Sequence, residues 1–186
     1  MKKQVLTGPT YLTILRMLFA VIFFVFILIP EIWSYIIALF LFILASLTDK
    51  IDGEWARRKN LVTDLGAFLD PLADKMLTGL AFLALIYLGI IPLWVFAIIL
   101  VRDYAVDGMR MMSARDGITI PASIFGKLKT TFQMISLACF ILNLILNLEP
   151  LNMAVNIILY ISLALTILSG LDYLIKGFKR ITKAKK

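Results

Sequence analysis

Long stretches without a single charged side chain alternate with short charged clusters along this chain of 186 residues. The uncharged runs cover Met17–Pro30, Ile32–Thr48, Met76–Val101, Thr130–Leu148 and Pro150–Leu171. A helix that crosses a bilayer needs about 20 mainly apolar residues. The first two runs fall short of that, so their helices are expected to continue through flanking polar residues. The run Met76–Val101 is long enough for one tilted span or for two helices folded at "YLGIIPLW", where Gly89 and Pro92 favour a turn. With that turn, six helices are expected to begin near Tyr11, Trp33, Leu65, Pro92, Ala122 and Leu151.

Charge selects between the two foldings. In the six-helix arrangement the connections "PEI", "LGIIP" and "NLEPLN" hold no Lys or Arg, and all 19 basic residues fall on the other side or within its helix ends. The positive-inside rule makes that side cytoplasmic. Without the turn, Lys75 and Arg102 would lie on opposite faces and the asymmetry would break. The expected fold is therefore all-α: a polytopic membrane protein with six transmembrane helices and both termini cytoplasmic. Residues 1–10 are expected to lie along the interface, with Lys2 and Lys3 near lipid headgroups. Residues 11–178 form the transmembrane domain, and residues 179–186 form a basic cytoplasmic tail. The lysines before the first apolar run resemble a signal peptide, but no small-residue cleavage site follows, so the segment is read as retained.

Composition agrees with this picture. The chain is 61% hydrophobic, against roughly 45–50% apolar for soluble domains. Its formal charge of +7 suits the anionic inner face of a membrane. No lysine block interleaves with aromatics in a polar segment, which argues against nucleic acid. Cys139 is the only cysteine and there is no histidine. Disulfides and Cys- or His-based metal sites are thereby excluded, and proton transfer falls to a carboxylate, a lysine or water.

The candidate chemistry sits in two acidic stretches. "LTDKIDGEWARR" places Asp49 and Asp52 three residues apart at the end of the second helix, and "VTDLGAFLDPLADKM" places Asp70 and Asp74 four apart on the third. On a helix each pair shares a face, with Cβ atoms about 6 Å apart. A short connection makes these helices antiparallel neighbours, so four carboxylates are expected to converge at the cytoplasmic edge of the bilayer. Such a cluster repels itself unless a divalent cation relieves it. An all-oxygen set points to Mg²⁺ or Mn²⁺, with Ca²⁺ also compatible, and four acids that can share ligands suggest two ions suited to displacement at phosphorus. Gly53 and Gly66 let a phosphate or nucleotide approach the backbone. Arg57 could clamp a diphosphate bidentately. Pro71 either opens the third helix or kinks it. The competing reading makes these acids solvated counter-charges to Arg57, Arg58, Lys59 and Lys75.

The residues Asp49, Asp52, Gly53, Ala56, Arg57, Gly66, Asp70 and Asp74 match D-x-x-D-G-x-x-A-R, eight spacers, G-x-x-x-D-x-x-x-D. This resembles the signature of the CDP-alcohol phosphotransferase family at every fixed position. "LTILR", "NLVTDLGAFLDPLADK", "VRDYAVDGMR" and "FGKLKTTFQM" extend the resemblance over nearly the whole chain, toward the branch whose acceptor is glycerol 3-phosphate. Two places depart from that branch: "TGPTY" stands where an Asn often precedes the first element, and Asp103 stands where Glu is usual. The resemblance implies that a CDP-linked lipid, CDP-diacylglycerol, and an alcohol form a phosphodiester with release of CMP. It implies Asp49, Asp52, Asp70 and Asp74 as metal ligands, Asp74 as base, and Gly53, Arg57 and Gly66 as contacts to the cytidine diphosphate. It also implies a homodimer in the cell membrane.

The basic residues bear on the acceptor. Arg102 and Arg110 are eight residues apart and share a helix face, and Lys127 and Lys129 follow at the start of the next helix. Four cations suit an acceptor that already bears a phosphomonoester, and glycerol 3-phosphate fits. Their competing reading is positive-inside anchoring, with Arg102 paired to Asp103 or Asp107. Arg16, one turn inside the first span, would either neutralise an acid or snorkel to the headgroups. Within the same family, the acceptor could instead be an inositol phosphate or phosphatidylglycerol. A divalent-cation transporter would carry acids at mid-bilayer depth and paired internal repeats, whereas here the acids lie at one edge and no repeat is visible.

Overall fold

The computed structural model describes the backbone of residues 8–58, 64–115 and 124–184, and the side chains of residues 10–48, 69–113 and 124–175. Six helices account for nearly all of it: α1 (Gly8–Ile27), α2 (Ile32–Arg58), α3 (Asp64–Tyr87), α4 (Leu93–Arg115), α5 (Ile124–Leu146) and α6 (Glu149–Ala184). The described residues are all-helical, as the run pattern predicts. α1 begins at Gly8, earlier than expected, because Pro9 needs no amide partner in a first turn. α6 opens on Glu149 and Pro150 for the same reason, with the acid also favoured at that end of the helix dipole. It runs on to Ala184, so most of the segment expected as a basic tail continues the helix.

The turn within Met76–Val101 is present. α3 ends on a Schellman cap in which the Ile90 N–H donates to the Leu85 carbonyl at 2.9 Å and the Gly89 N–H to the Ile86 carbonyl at 2.9 Å. Gly89 has φ +72°, a conformation that costs a side-chain-bearing residue about 1–2 kcal/mol. α5 closes similarly on Asn147 at φ +50°, with the Asn143 side-chain oxygen accepting the Leu148 N–H at 3.0 Å. Pro71 lies inside α3 rather than at its start, where it has no N–H to offer the Ala67 carbonyl.

The chain divides into two compact units. The first comprises residues 1–90 with 137–148, the second residues 91–136 with 149–186. In the first, α1 packs against both α2 and α3. Ala20, Phe23 and Ile27 of α1, Ala38, Phe42 and Ala45 of α2, and Ala73, Leu77, Ala81 and Leu85 of α3 are buried. The small residues let the helix backbones approach closely, and Phe23 and Phe42 fill the seam with ring centroids 5.6 Å apart. Ser34, in the first turn of α2, donates to the Phe26 carbonyl at the end of α1 and ties the two helix ends together. In the second unit α4 packs along α6, and Val106, Met109 and Tyr173 form a buried cluster against Leu174.

Large apolar side chains cover the outside: Leu18, Val25, Phe40, Ile157 and Leu168 are all more than half exposed. An aqueous protein does not present such a continuous apolar surface, and this is a membrane protein. Among the described residues, three stretches are long and apolar enough to cross a bilayer: Thr10–Ile27, Ile124–Leu146 and Glu149–Ile175. α2 contributes a shorter apolar stretch, Ile32–Thr48, before its acids begin.

Substitution at Gly89 tests the turn. A Cβ there would meet nothing within 4 Å, so the penalty is conformational alone. Gly89→Val should lower unfolding free energy in detergent by about 1–2 kcal/mol, with Gly89→Asn losing less because Asn tolerates positive φ. Equal losses for Val and Asn would show that backbone conformation is not what selects glycine.

Candidate active site

The candidate acids are carried by α2 and α3. α2 continues as a helix through Asp49, Asp52, Gly53 and Arg57, ending at Arg58, and α3 carries Gly66 within its first turn, then Asp70 and Asp74. The two helices touch within the first unit. The side chains of Asp49, Asp52, Gly53, Arg57 and Gly66 lie outside the described residues. Asp70 and Asp74 are described: Asp70 is exposed and Asp74 half-buried. Asp70 Oδ1 accepts a 2.6 Å hydrogen bond from the Thr13 hydroxyl of α1. Thr13 itself is 1% exposed, so its position is fixed by packing and it orients one carboxylate oxygen of Asp70. Among the described residues no three acidic side chains gather as a ligand set, since two of the four expected aspartates fall outside them.

α1 supplies more than that one hydroxyl. Thr10, Thr13 and Arg16 recur every three residues and are each 1% exposed. Arg16 is thus packed inside the first unit and does not extend along the surface toward headgroups.

The candidate cations lie in the second unit. Asp103 of α4 joins two of them: Lys129 Nζ of α5 donates to both carboxylate oxygens, at 2.7 and 2.8 Å, and Arg102 Nη1 donates to Oδ1 at 2.9 Å. Of the two partners weighed for Arg102, the structure therefore supplies Asp103. Arg102 reaches across to α6 as well, where Nη2 donates to Ser169 Oγ at 2.8 Å. Its stem lies so close to α6 that a Cβ on Gly170 would stand 2.8 Å from Arg102 Cγ. Gly170, in "LSGLDY", is thus a place where two helices approach closely, whereas a Cβ on Gly79, in "LTGLA", would meet nothing within 4 Å.

Arg110 follows two turns after Arg102. Its guanidinium carbon lies 5.2 Å from the centroid of the Tyr173 ring, and its Nε donates to the Tyr173 hydroxyl at 3.1 Å. Tyr173 is 3% exposed, so the arginine is steered by a fixed aromatic face and oxygen together. Arg110 and Lys127 are exposed, Arg102 is half-buried and Lys129 is buried. The four expected cations thus differ in setting: two are exposed, and two are tied to one carboxylate.

Thr13, Ser169 and Tyr173 are the residues that the sequence pattern does not single out. The traces they leave are regular spacings of polar residues within apolar runs: Thr10, Thr13 and Arg16 on α1, and Ser162, Thr166, Ser169 and Tyr173 on α6.

Comparison with known proteins agrees with the motif. A model of the family described as CDP-alcohol phosphatidyltransferase matches residues 6–168. The chain is 34% identical to the CDP-diacylglycerol–glycerol-3-phosphate 3-phosphatidyltransferase of Bacillus subtilis, over 93% of this chain and 96% of that one. It is 36% identical to the protein of the same name from Rickettsia bellii, over 89% of this chain and 92% of that one. It is 38% identical to a probable phosphatidylglycerophosphate synthase of Mycobacterium tuberculosis, over 78% of this chain and 68% of that one.

The Thr13–Asp70 bond has a direct check. Thr13→Val keeps the shape but removes the donor, and should cost about 1 kcal/mol of unfolding free energy, read by denaturation in detergent. An unchanged midpoint would mean that the hydroxyl does not hold Asp70.

Proposed function

We propose, because the chain belongs to the CDP-alcohol phosphatidyltransferase family, that it transfers a phosphatidyl group from CDP-diacylglycerol to glycerol 3-phosphate, yielding phosphatidylglycerol phosphate and CMP. The observation that carries the acceptor is the similarity to the Bacillus subtilis relative named for that reaction, which covers nearly the full length of both chains. The cation set Arg102, Arg110, Lys127 and Lys129 supports it, because an acceptor with a phosphomonoester needs such charge and an uncharged alcohol does not.

In this reading a primary hydroxyl oxygen of glycerol 3-phosphate attacks the phosphorus that carries diacylglycerol. The phosphorus–oxygen bond to CMP breaks, and CMP leaves with the electron pair. Asp74 takes the hydroxyl proton. Asp49, Asp52, Asp70 and Asp74 would hold the divalent cations, Mg²⁺ or Mn²⁺ and two in number. Their hard oxygens fit such ions, and Thr13 already orients one of them. When bound, the cations neutralise diphosphate and leaving-group charge. Gly53, Arg57 and Gly66 contact the cytidine diphosphate, while Arg110 and Lys127, both exposed, receive the acceptor's phosphate together with Lys129 and Arg102.

Six spans, both termini in the cytoplasm and a cytoplasm-facing site follow from the placement of the basic residues. Assembly as a homodimer follows the family resemblance.

Acceptor choice is tested by incubating purified protein with CDP-diacylglycerol and, separately, glycerol 3-phosphate, an inositol phosphate, phosphatidylglycerol or serine. CMP release should require glycerol 3-phosphate, and release with another alcohol alone would replace it as the acceptor. Asp74→Asn should lower kcat by roughly 10²–10⁴-fold while CDP-diacylglycerol still binds, and full turnover would remove Asp74 from the role of base. EDTA should abolish CMP release and added Mg²⁺ or Mn²⁺ should restore it.

A further inference from the structure

We propose that Asp103 is a positioning residue for the acceptor's phosphate, its one carboxylate holding Lys129 and Arg102 side by side as a preformed pair of donors. The inference rests on the acceptor reading above and adds a residue that carries the same sign of charge as the substrate.

The geometry contains two cations that would repel each other, joined through a shared anion. Lys129 Nζ takes both oxygens of Asp103, and Arg102 Nη1 takes one of them. The Lys129 side chain is 5% exposed, against 16% for Arg102 and 25% for Asp103. An ammonium that dry keeps its place only with a counter-charge. Arg102 is fixed from the opposite side by Ser169 and by the close approach that only glycine permits at position 170. Three elements, α4, α5 and α6, therefore agree on one arrangement of two positive groups around a shared carboxylate. The net charge of the triad is +1, so it still attracts a phosphate.

Removing Asp103 has two opposed effects. It takes away a charge that repels the incoming phosphate, and it takes away the anchor that keeps two cations adjacent. The second dominates, because Lys129 and Arg102 then repel each other with no shared carboxylate between them. Losing a charge-assisted contact and the order it imposes is worth about tenfold or more in binding. Glu at this position retains the carboxylate one methylene farther out, so it should restore much of the effect. Gly170→Ala displaces Arg102 from the triad without altering any charge.

The experiment measures kcat and KM for both substrates with purified wild-type, Asp103→Asn, Asp103→Glu and Gly170→Ala protein, and Ki for inorganic phosphate against glycerol 3-phosphate. The expected result is that Asp103→Asn raises KM for glycerol 3-phosphate about tenfold or more, and raises the phosphate Ki in parallel. KM for CDP-diacylglycerol should stay unchanged. Gly170→Ala should move the same two constants in the same direction, and Asp103→Glu should lie between wild type and Asp103→Asn. The proposal is overturned if KM for glycerol 3-phosphate is unchanged or falls, if both KM values rise together, or if kcat alone drops. Should Asp103→Asn not fold, Gly170→Ala decides by the same constants. A wild-type enzyme that does not use glycerol 3-phosphate would overturn the acceptor reading itself, which the wild-type measurement shows before any variant is compared.

Discussion

A charged group on a helix set in hydrocarbon has no water to fall back on, and every charged residue of this protein inside an apolar helix is placed under that constraint. Lys129 is 4% exposed and Arg16 1%. Neither could remain so without compensation from within the fold, since an uncompensated buried charge costs several kcal/mol. For Lys129 the answer is a carboxylate on the preceding helix. Pairing of this kind ties α4 to α5 and to α6, beside the apolar packing of α4 along α6.

The candidate acids and the candidate cations belong to different compact units. The first holds the signature aspartates on α2 and α3, and α1 supports Asp70 through the buried Thr13. The second holds the cations, with α6 as the rack: Ser169 and Tyr173, one turn apart, each accept a hydrogen bond from an arginine of α4. Hydroxyl groups are suited to that work because they orient a guanidinium without neutralising it, leaving its charge available to an anion.

The helices are legible in the sequence because uncharged runs, turn residues and the asymmetry of charge mark them. Gly89 shows why: a positive φ at a helix end selects glycine almost regardless of what surrounds it. The signature aspartates are legible as a spacing, and Asp70 and Asp74 do occupy one helix. The hydroxyl partners are not. Ser46, Thr78 and Thr130 bond carbonyls of their own helices, which is what such residues ordinarily do in an apolar helix. Nothing local distinguishes them from Thr13, or from Ser169, which bonds the Thr166 carbonyl of its own helix in the same way while also accepting from Arg102. Only tertiary placement separates the two groups. Likewise, sequence spacing puts Arg102, Arg110, Lys127 and Lys129 in one class, and burial divides that class.

The close fit of Arg102 over Gly170 works as a key in a slot. A side chain lying across a neighbouring backbone where no Cβ stands in the way indexes α4 against α6 along their axes. Sliding by about one helical turn would bring Thr166 and Ile167, or Tyr173 and Leu174, each with a Cβ, toward the arginine stem. The missing side chain at Gly170 therefore fixes the axial register in which α4 and α6 fit together.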